Sequence, residues 1–252
     1  MEFEKWEDGE HSDMVKPGFA DLCIEPEDIG KYREVVEEAV EDIEDVFGVS
    51  VSLKVVIAKT DTSQIRGKPV EETSMYAFIQ GMGLSPQVYN VEENMIFLRV
   101  TDEVENWRSF LKSLVVHEEA HLEFQDEREV GYTILRHLLF EGHAMHRDRK
   151  VSEEKGYEWR QDWELPDIDR GEFLAELDKK RSWDEPQSEE VSTLFDSGGE
   201  KWKDGEGYSM AFHIAKDVME RKEIGVQELV EIGYEEWRKQ VEKSVENLYG
   251  ED

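Results

Sequence analysis

Cysteine is almost missing from this chain. Cys23 is its single cysteine, so no disulfide can form within the molecule. Long apolar runs are missing too, and none approaches the roughly 20 residues needed to span a bilayer. The first residues, Met1-Glu2-Phe3-Glu4-Lys5-Trp6-Glu7-Asp8, lack the basic and apolar regions of a signal peptide. Together these absences predict a reduced, cytoplasmic location. Positive charge is scarce: 30 Lys and Arg stand against 62 Asp and Glu, a net charge of −32. Such a surface repels nucleic-acid phosphates and does not favour anionic membranes, so neither is an expected partner. It suits a salt-rich cytoplasm, where screening suppresses self-repulsion, and halophilic adaptation is the expectation. No internal repeat, heptad run or Gly-rich phosphate loop is present.

One motif stands out against this acidic background. Val116-His117-Glu118-Glu119-Ala120-His121 contains H-E-x-x-H within an expected amphipathic helix. Histidines four apart lie on one helical face and can grip a single metal ion. The glutamate after the first histidine points to the adjacent side, where it could deprotonate a water on the metal. Trp107, Phe110, Leu111, Leu114 and Val115 form an apolar stripe upstream. His117 and His121 fall at its border, towards the buried side, where ring nitrogens need partners.

The third ligand sets the class. Leu122-Glu123-Phe124-Gln125-Asp126 has neither the His nor the Gly of the metzincin continuation. Phe140-Glu141-Gly142-His143-Ala144 lies in a second expected helix, from Gly131 to about Lys150. Glu141 shares the apolar line of Ile134, Leu138 and Met145, and a carboxylate facing the core needs pairing or a metal. Antiparallel helices would bring it opposite His117 and His121, a His2Glu set with one open position for Zn2+. His137, His143 and His146 compete for that role. His137 could instead support Glu141, and His143 and His146 also read as a solvated basic patch with Arg147, Arg149 and Lys150.

Tyr208 is the candidate donor to the oxyanion that amide hydrolysis develops. It opens an expected helix, about Gly207 to Arg221, after the glycine-rich residues 197–207. Tyr208, Phe212, Ala215 and Met219 also share one face and read equally as core. His213 projects elsewhere and is a second candidate donor.

These motifs resemble the YjaZ-like predicted zinc-dependent proteases, a gluzincin-like family. The resemblance rests on the H-E-x-x-H segment, Glu141-Gly142-His143-Ala144, Gly207-Tyr208-Ser209-Met210-Ala211-Phe212, and the stretch from Gly81-Met82-Gly83 through Asn94-Met95-Ile96-Phe97-Leu98. It covers about residues 50–245. It implies His117, His121 and Glu141 as zinc ligands and Glu118 as general base. His143 and Met145 stand where the family often has an aliphatic and an acidic residue. The orienting role of that acid then passes to Glu129, Asp126 or a backbone carbonyl.

The expected fold class is α+β. Residues 1–18 read as a loose acidic arm, 19–126 as an α/β part with the metal helix, and 127–252 as a mainly helical part. Glu27 to Phe47 reads as a helix stopped by Gly48. Val51 to Ala58, Met75 to Gln80 and Met95 to Val100 read as strands. A helix from Asp102 to about Gln125 follows, capped by Thr101. Gly171 to Arg181 and Ser188 to Phe195 suggest short helices, and Gly225 to Tyr249 a closing helical pair. Residues 151–206 read as a lid or a peripheral layer.

The chemistry expected is hydrolysis of peptide bonds in a peptide or protein substrate by a zinc metallopeptidase. Zinc would be held by His117, His121 and Glu141, with Glu118 as base and Tyr208 and His213 as oxyanion donors. The alternatives are a zinc-binding structural or interaction protein and a small-amide metallohydrolase.

Overall fold

The structure is a computed structural model and describes residues 1–5, 7, 23–60, 95–101, 105–122, 133–158, 162–181, 191–195, 201–203 and 205–250. The chain is α+β and divides into two units. One comprises Met1–Leu122 with Lys150–Arg160, the other Glu123–Arg149 with Gln161–Asp252.

In the first unit, β1 (Glu2–Lys5), β2 (Cys23–Ile24), α1 (Gly30–Phe47), β3 (Lys54–Thr60), β4 (Met95–Val100) and α2 (Trp107–His121) follow one another. β3 is central. β4 runs parallel to it, from Lys54↔Met95 to Lys59↔Val100. β1 is also parallel to β3, from Glu2↔Lys54 to Lys5↔Ile57, and β2 is antiparallel at Cys23↔Thr60. Residues 2–5 are thus a strand, not part of a loose arm. Pairing with β3 supplies the backbone hydrogen bonds that their acidic composition does not advertise. All six residues of β4 are buried, as expected of a parallel strand covered on both faces. Arg99 is among them. Beside it, burial pushes the Cys23 thiol up to about 12, against the opposing pull of the Arg99 charge.

α1 buries Tyr32, Val35, Val36, Ala39, Val40 and Ile43, a stripe with helical spacing. Gly48 ends it in the left-handed region at φ 67°, and its N–H donates to the Glu44 carbonyl. α2 lays Leu111, Leu114 and Val115 into the same core. It starts five residues later than expected from Asp102, and Thr101 is not its cap. Asn106 holds that position at φ 59°, a left-handed turn that asparagine tolerates. Asp42 on α1 accepts from Tyr157 Oη at 2.8 Å and pairs with Lys112 and Lys155, each at 3.4 Å.

α3 (Ile134–Lys155) runs from the second unit into the first. It continues past Lys150 because Val151 is fully buried with Ile43, Val116 and Tyr157. The second unit continues with α4 (Arg170–Glu176), β5 (Lys180–Arg181), β6 (Val191–Ser192), α5 (Glu206–Lys222), a 3-10 turn (Val226–Glu231) and α6 (Tyr234–Tyr249). The Asp169 side chain caps α4 by accepting from the Glu172 N–H at 2.7 Å. Two helical expectations change here. The segment from Gly171 ends in a strand, and 191–192 is a strand rather than part of a helix. The parallel pair Lys180↔Val191 and Arg181↔Ser192, with a bridge from Thr133 to Lys180, captures both segments. Trp237 on α6 is fully buried, and its indole N–H donates to the Leu135 carbonyl at 2.8 Å. Arg221 on α5 reaches Gln240 and Ser244 of α6.

The expected strand Met75 to Gln80, the Gly81-Met82-Gly83 loop, and Asp126 and Glu129 lie outside the described residues. Among those described, no helix is long and apolar enough to cross a membrane.

Candidate metal centre

α2 continues its apolar stripe directly into the H-E-x-x-H segment. His121 is 6% exposed and Glu118 only 2%, while His117 is half-buried. One helical turn brings the two imidazoles together edge to face, with Nε2 to Nε2 at 3.1 Å. That is close to the edge of a zinc tetrahedron, roughly 3.3 Å for bonds of about 2.0–2.1 Å. Glu141 on α3 is 5% exposed. His117, His121 and Glu141 each offer one ligand atom, and these atoms all lie within 4.8 Å of one another. Among the described residues they are the group that could hold a metal ion. Two imidazole nitrogens and one carboxylate oxygen form the donor set of catalytic zinc, which leaves a fourth position open. The residues therefore fit the ion.

The histidines that competed for the third position fall elsewhere. His137 sits one turn before Glu141 and places Nε2 3.1 Å from its Oε1, both side chains being buried. Its ring meets Phe195 edge to face at 4.4 Å and stacks on Phe140 at 5.7 Å. His143 and Arg147 are fully buried, which corrects the reading of a solvated basic patch; only Arg149 and Lys150 of that set are exposed. The patch is not at a helix end either, because α3 runs on to Lys155. His146 places Nε2 2.9 Å from the Phe212 carbonyl oxygen and stacks its ring on Phe212 at 4.3 Å. Burial brings this imidazole down to about 4; the hydrogen bond to Phe212 opposes that shift, and the charges of Arg149 and Lys216 add to it.

Two glycines sit in close contacts within the neighbouring motifs. A Cβ on Gly142 would sit 2.6 Å from the Ala211 carbonyl oxygen and 2.8 Å from the Ala215 Cβ. A Cβ on Gly207 would meet the Leu194 carbonyl oxygen at 2.6 Å and the Phe195 ring at 2.8 Å. Both allow backbone approaches that any side chain would block.

Tyr208 stands in an aromatic row. Its ring meets Phe195 edge to face at 5.2 Å and stacks on Trp163 at 6.2 Å. His213 donates through Nε2 to the Trp163 carbonyl at 2.9 Å. Burial holds its imidazole below the ordinary value, and that hydrogen bond opposes the shift. Tyr208 and His213 thus converge on Trp163, and His213 is not part of the His117, His121 and Glu141 group. Phe195 was not legible as a site residue. It lies in a segment whose sequence suggests a helix, and only the fold brings it against His137.

No family model matches the chain, and neither the curated proteins nor the solved structures include a significant match.

Proposed function

We propose that this protein is a zinc-dependent metallopeptidase with a His2Glu site, related in kind to the YjaZ-like proteases its motifs resemble. The observation that carries the reading is the convergence of His117, His121 and Glu141, with ligand atoms within 4.8 Å, beside the buried Glu118. Zinc bound to such a set supplies Lewis acidity, polarising a carbonyl and activating a water molecule. Glu118 takes a proton from the attacking water and passes it to the leaving amine nitrogen as the C–N bond breaks. Ligand binding alone does not require a glutamate at that position, which favours an enzyme over a structural zinc protein. Tyr208, whose ring packs against Phe195 and Trp163, is the candidate donor to the oxyanion, and His213, whose Nε2 bonds the Trp163 carbonyl, is the second candidate.

The test is metal content by mass spectrometry on untagged protein purified without added metal. About one zinc per chain in the wild type, and sharply less in Glu141→Ala, is the expected result. No zinc in the wild type, even after zinc is offered, overturns the reading.

A further inference from the structure

We infer that His137 is the positioning residue for the carboxylate ligand: it holds Glu141 in the orientation that a metal ion requires. This inference rests on the metal site proposed above. Glutamate is the most mobile of the three ligand side chains, with three rotatable bonds, and its two oxygens are equivalent until something distinguishes them. His137 distinguishes them. Its Nε2 lies 3.1 Å from Oε1 of Glu141, one helical turn away on α3. An N–H donated to one oxygen fixes the plane of the carboxylate and leaves the other oxygen to face a metal. Hydrogen bonds to ligating groups act in this way generally.

The imidazole is itself fixed. Its side chain is 1% exposed, and the Phe195 ring meets it edge to face at 4.4 Å. Phe195 is confined in turn, because Gly207 lets the backbone of α5 approach its ring and the Tyr208 ring stands against it at 5.2 Å. The Gly207-Tyr208 motif thereby connects to the metal ligand through two packed rings and one hydrogen bond. All of these groups lie in the second unit. His137 is therefore neither a ligand nor an inert core histidine.

A pair of variants differing by one methylene tests this. In His137→Gln the amide nitrogen overlays Nε2 and can still donate to Glu141. In His137→Asn it overlays Nδ1 and cannot reach. Zinc affinity is measured by competition with a chromophoric chelator, and the visible spectrum of the Co2+-loaded protein is recorded for each. The expected result is a loss of about 10–100-fold in zinc affinity for His137→Asn, with a changed Co2+ spectrum and one metal per chain retained. His137→Gln should remain within about threefold of wild type on the same scale. Wild-type affinity and spectrum in His137→Asn overturn the inference. So does loss of metal from both variants as complete as that from Glu141→Ala, because His137 would then be a ligand. Failure of the underlying site looks different: the wild type binds no zinc, or Glu141→Ala binds it unchanged.

Discussion

Gly142 on α3 packs directly against Ala211 on α5, so closely that a methyl group on the glycine would lie 2.6 Å from the alanine's carbonyl oxygen. A glycine inside a helix ordinarily costs about 1 kcal/mol relative to alanine. Here the contact reverses the sign. Gly142→Ala should destabilise the protein by about 1–3 kcal/mol, the usual range for overpacking against an unyielding neighbour. A denaturant melt checks it, and a variant as stable as wild type would show that α3 and α5 can separate at no cost. Since Gly142 follows Glu141, the same variant should also weaken zinc binding.

Glu118→Gln separates metal binding from hydrolysis. The amide cannot accept the proton from water, so turnover should fall by about 10²–10⁴-fold. Zinc content should stay at about one per chain, because glutamine leaves His117, His121 and Glu141 in place. The measurement pairs metal analysis with cleavage of a peptide library read by mass spectrometry. Turnover equal to wild type would remove Glu118 from the mechanism.

Removing the metal should lower thermal stability. A ligand at 100 times its dissociation constant stabilises a protein by about 2.7 kcal/mol. For a chain of this size, that corresponds to a fall in Tm of roughly 5–11 °C on adding a strong chelator, with recovery when zinc is restored. The His121→Ala variant should show neither the fall nor the recovery.

His146 gives a pH dependence of definite sign. Its folded-state value lies near 4, below the ordinary 6.5, chiefly because of burial. Above about pH 6.5 the imidazole is neutral in both states and contributes nothing. Between there and about pH 4 the unfolded chain binds more proton, so stability falls as pH falls. From pH 7.5 to pH 5 this group alone should cost about 2 kcal/mol. In His146→Gln, which can still donate an N–H to the Phe212 carbonyl, that part of the slope should vanish. Parallel stability-versus-pH curves for the two proteins would refute the assignment.

The net charge of −32 predicts a response to salt. Screening weakens both repulsion among the carboxylates and the surface ion pairs, and the excess of negative charge decides the balance. Tm should rise as KCl is raised towards 1 M. A flat or falling curve would argue against adaptation to high salt.

Local pattern made much of this protein legible. The stripe of Tyr32, Val36, Val40 and Ile43 announced α1, and Gly48 its end, because helical spacing and a left-handed cap are written in neighbouring residues. Met95 to Val100 was readable as a strand from its apolar run. The H-E-x-x-H spacing placed His117 and His121 on one face, and the apolar line through Ile134 and Leu138 placed Glu141 towards the core. Partners distant in sequence decided the rest. Pairing with β3 made a strand of residues 2–5, and pairing with Lys180 made one of Val191–Ser192 against a helical pattern. Burial of Val151 carried α3 past Lys150. Whether a histidine on that helix meets solvent, Phe212 or the Glu141 carboxylate depends on which surfaces cover each face, and helical periodicity does not record the covering surfaces. So the sequence by itself determined the candidate ligand types and their helices, because periodicity is local. Only the tertiary structure decided that His137 meets Glu141, that His143 and Arg147 are buried, and that a side chain at Gly142 would collide with Ala211, because those facts depend on what packs against them.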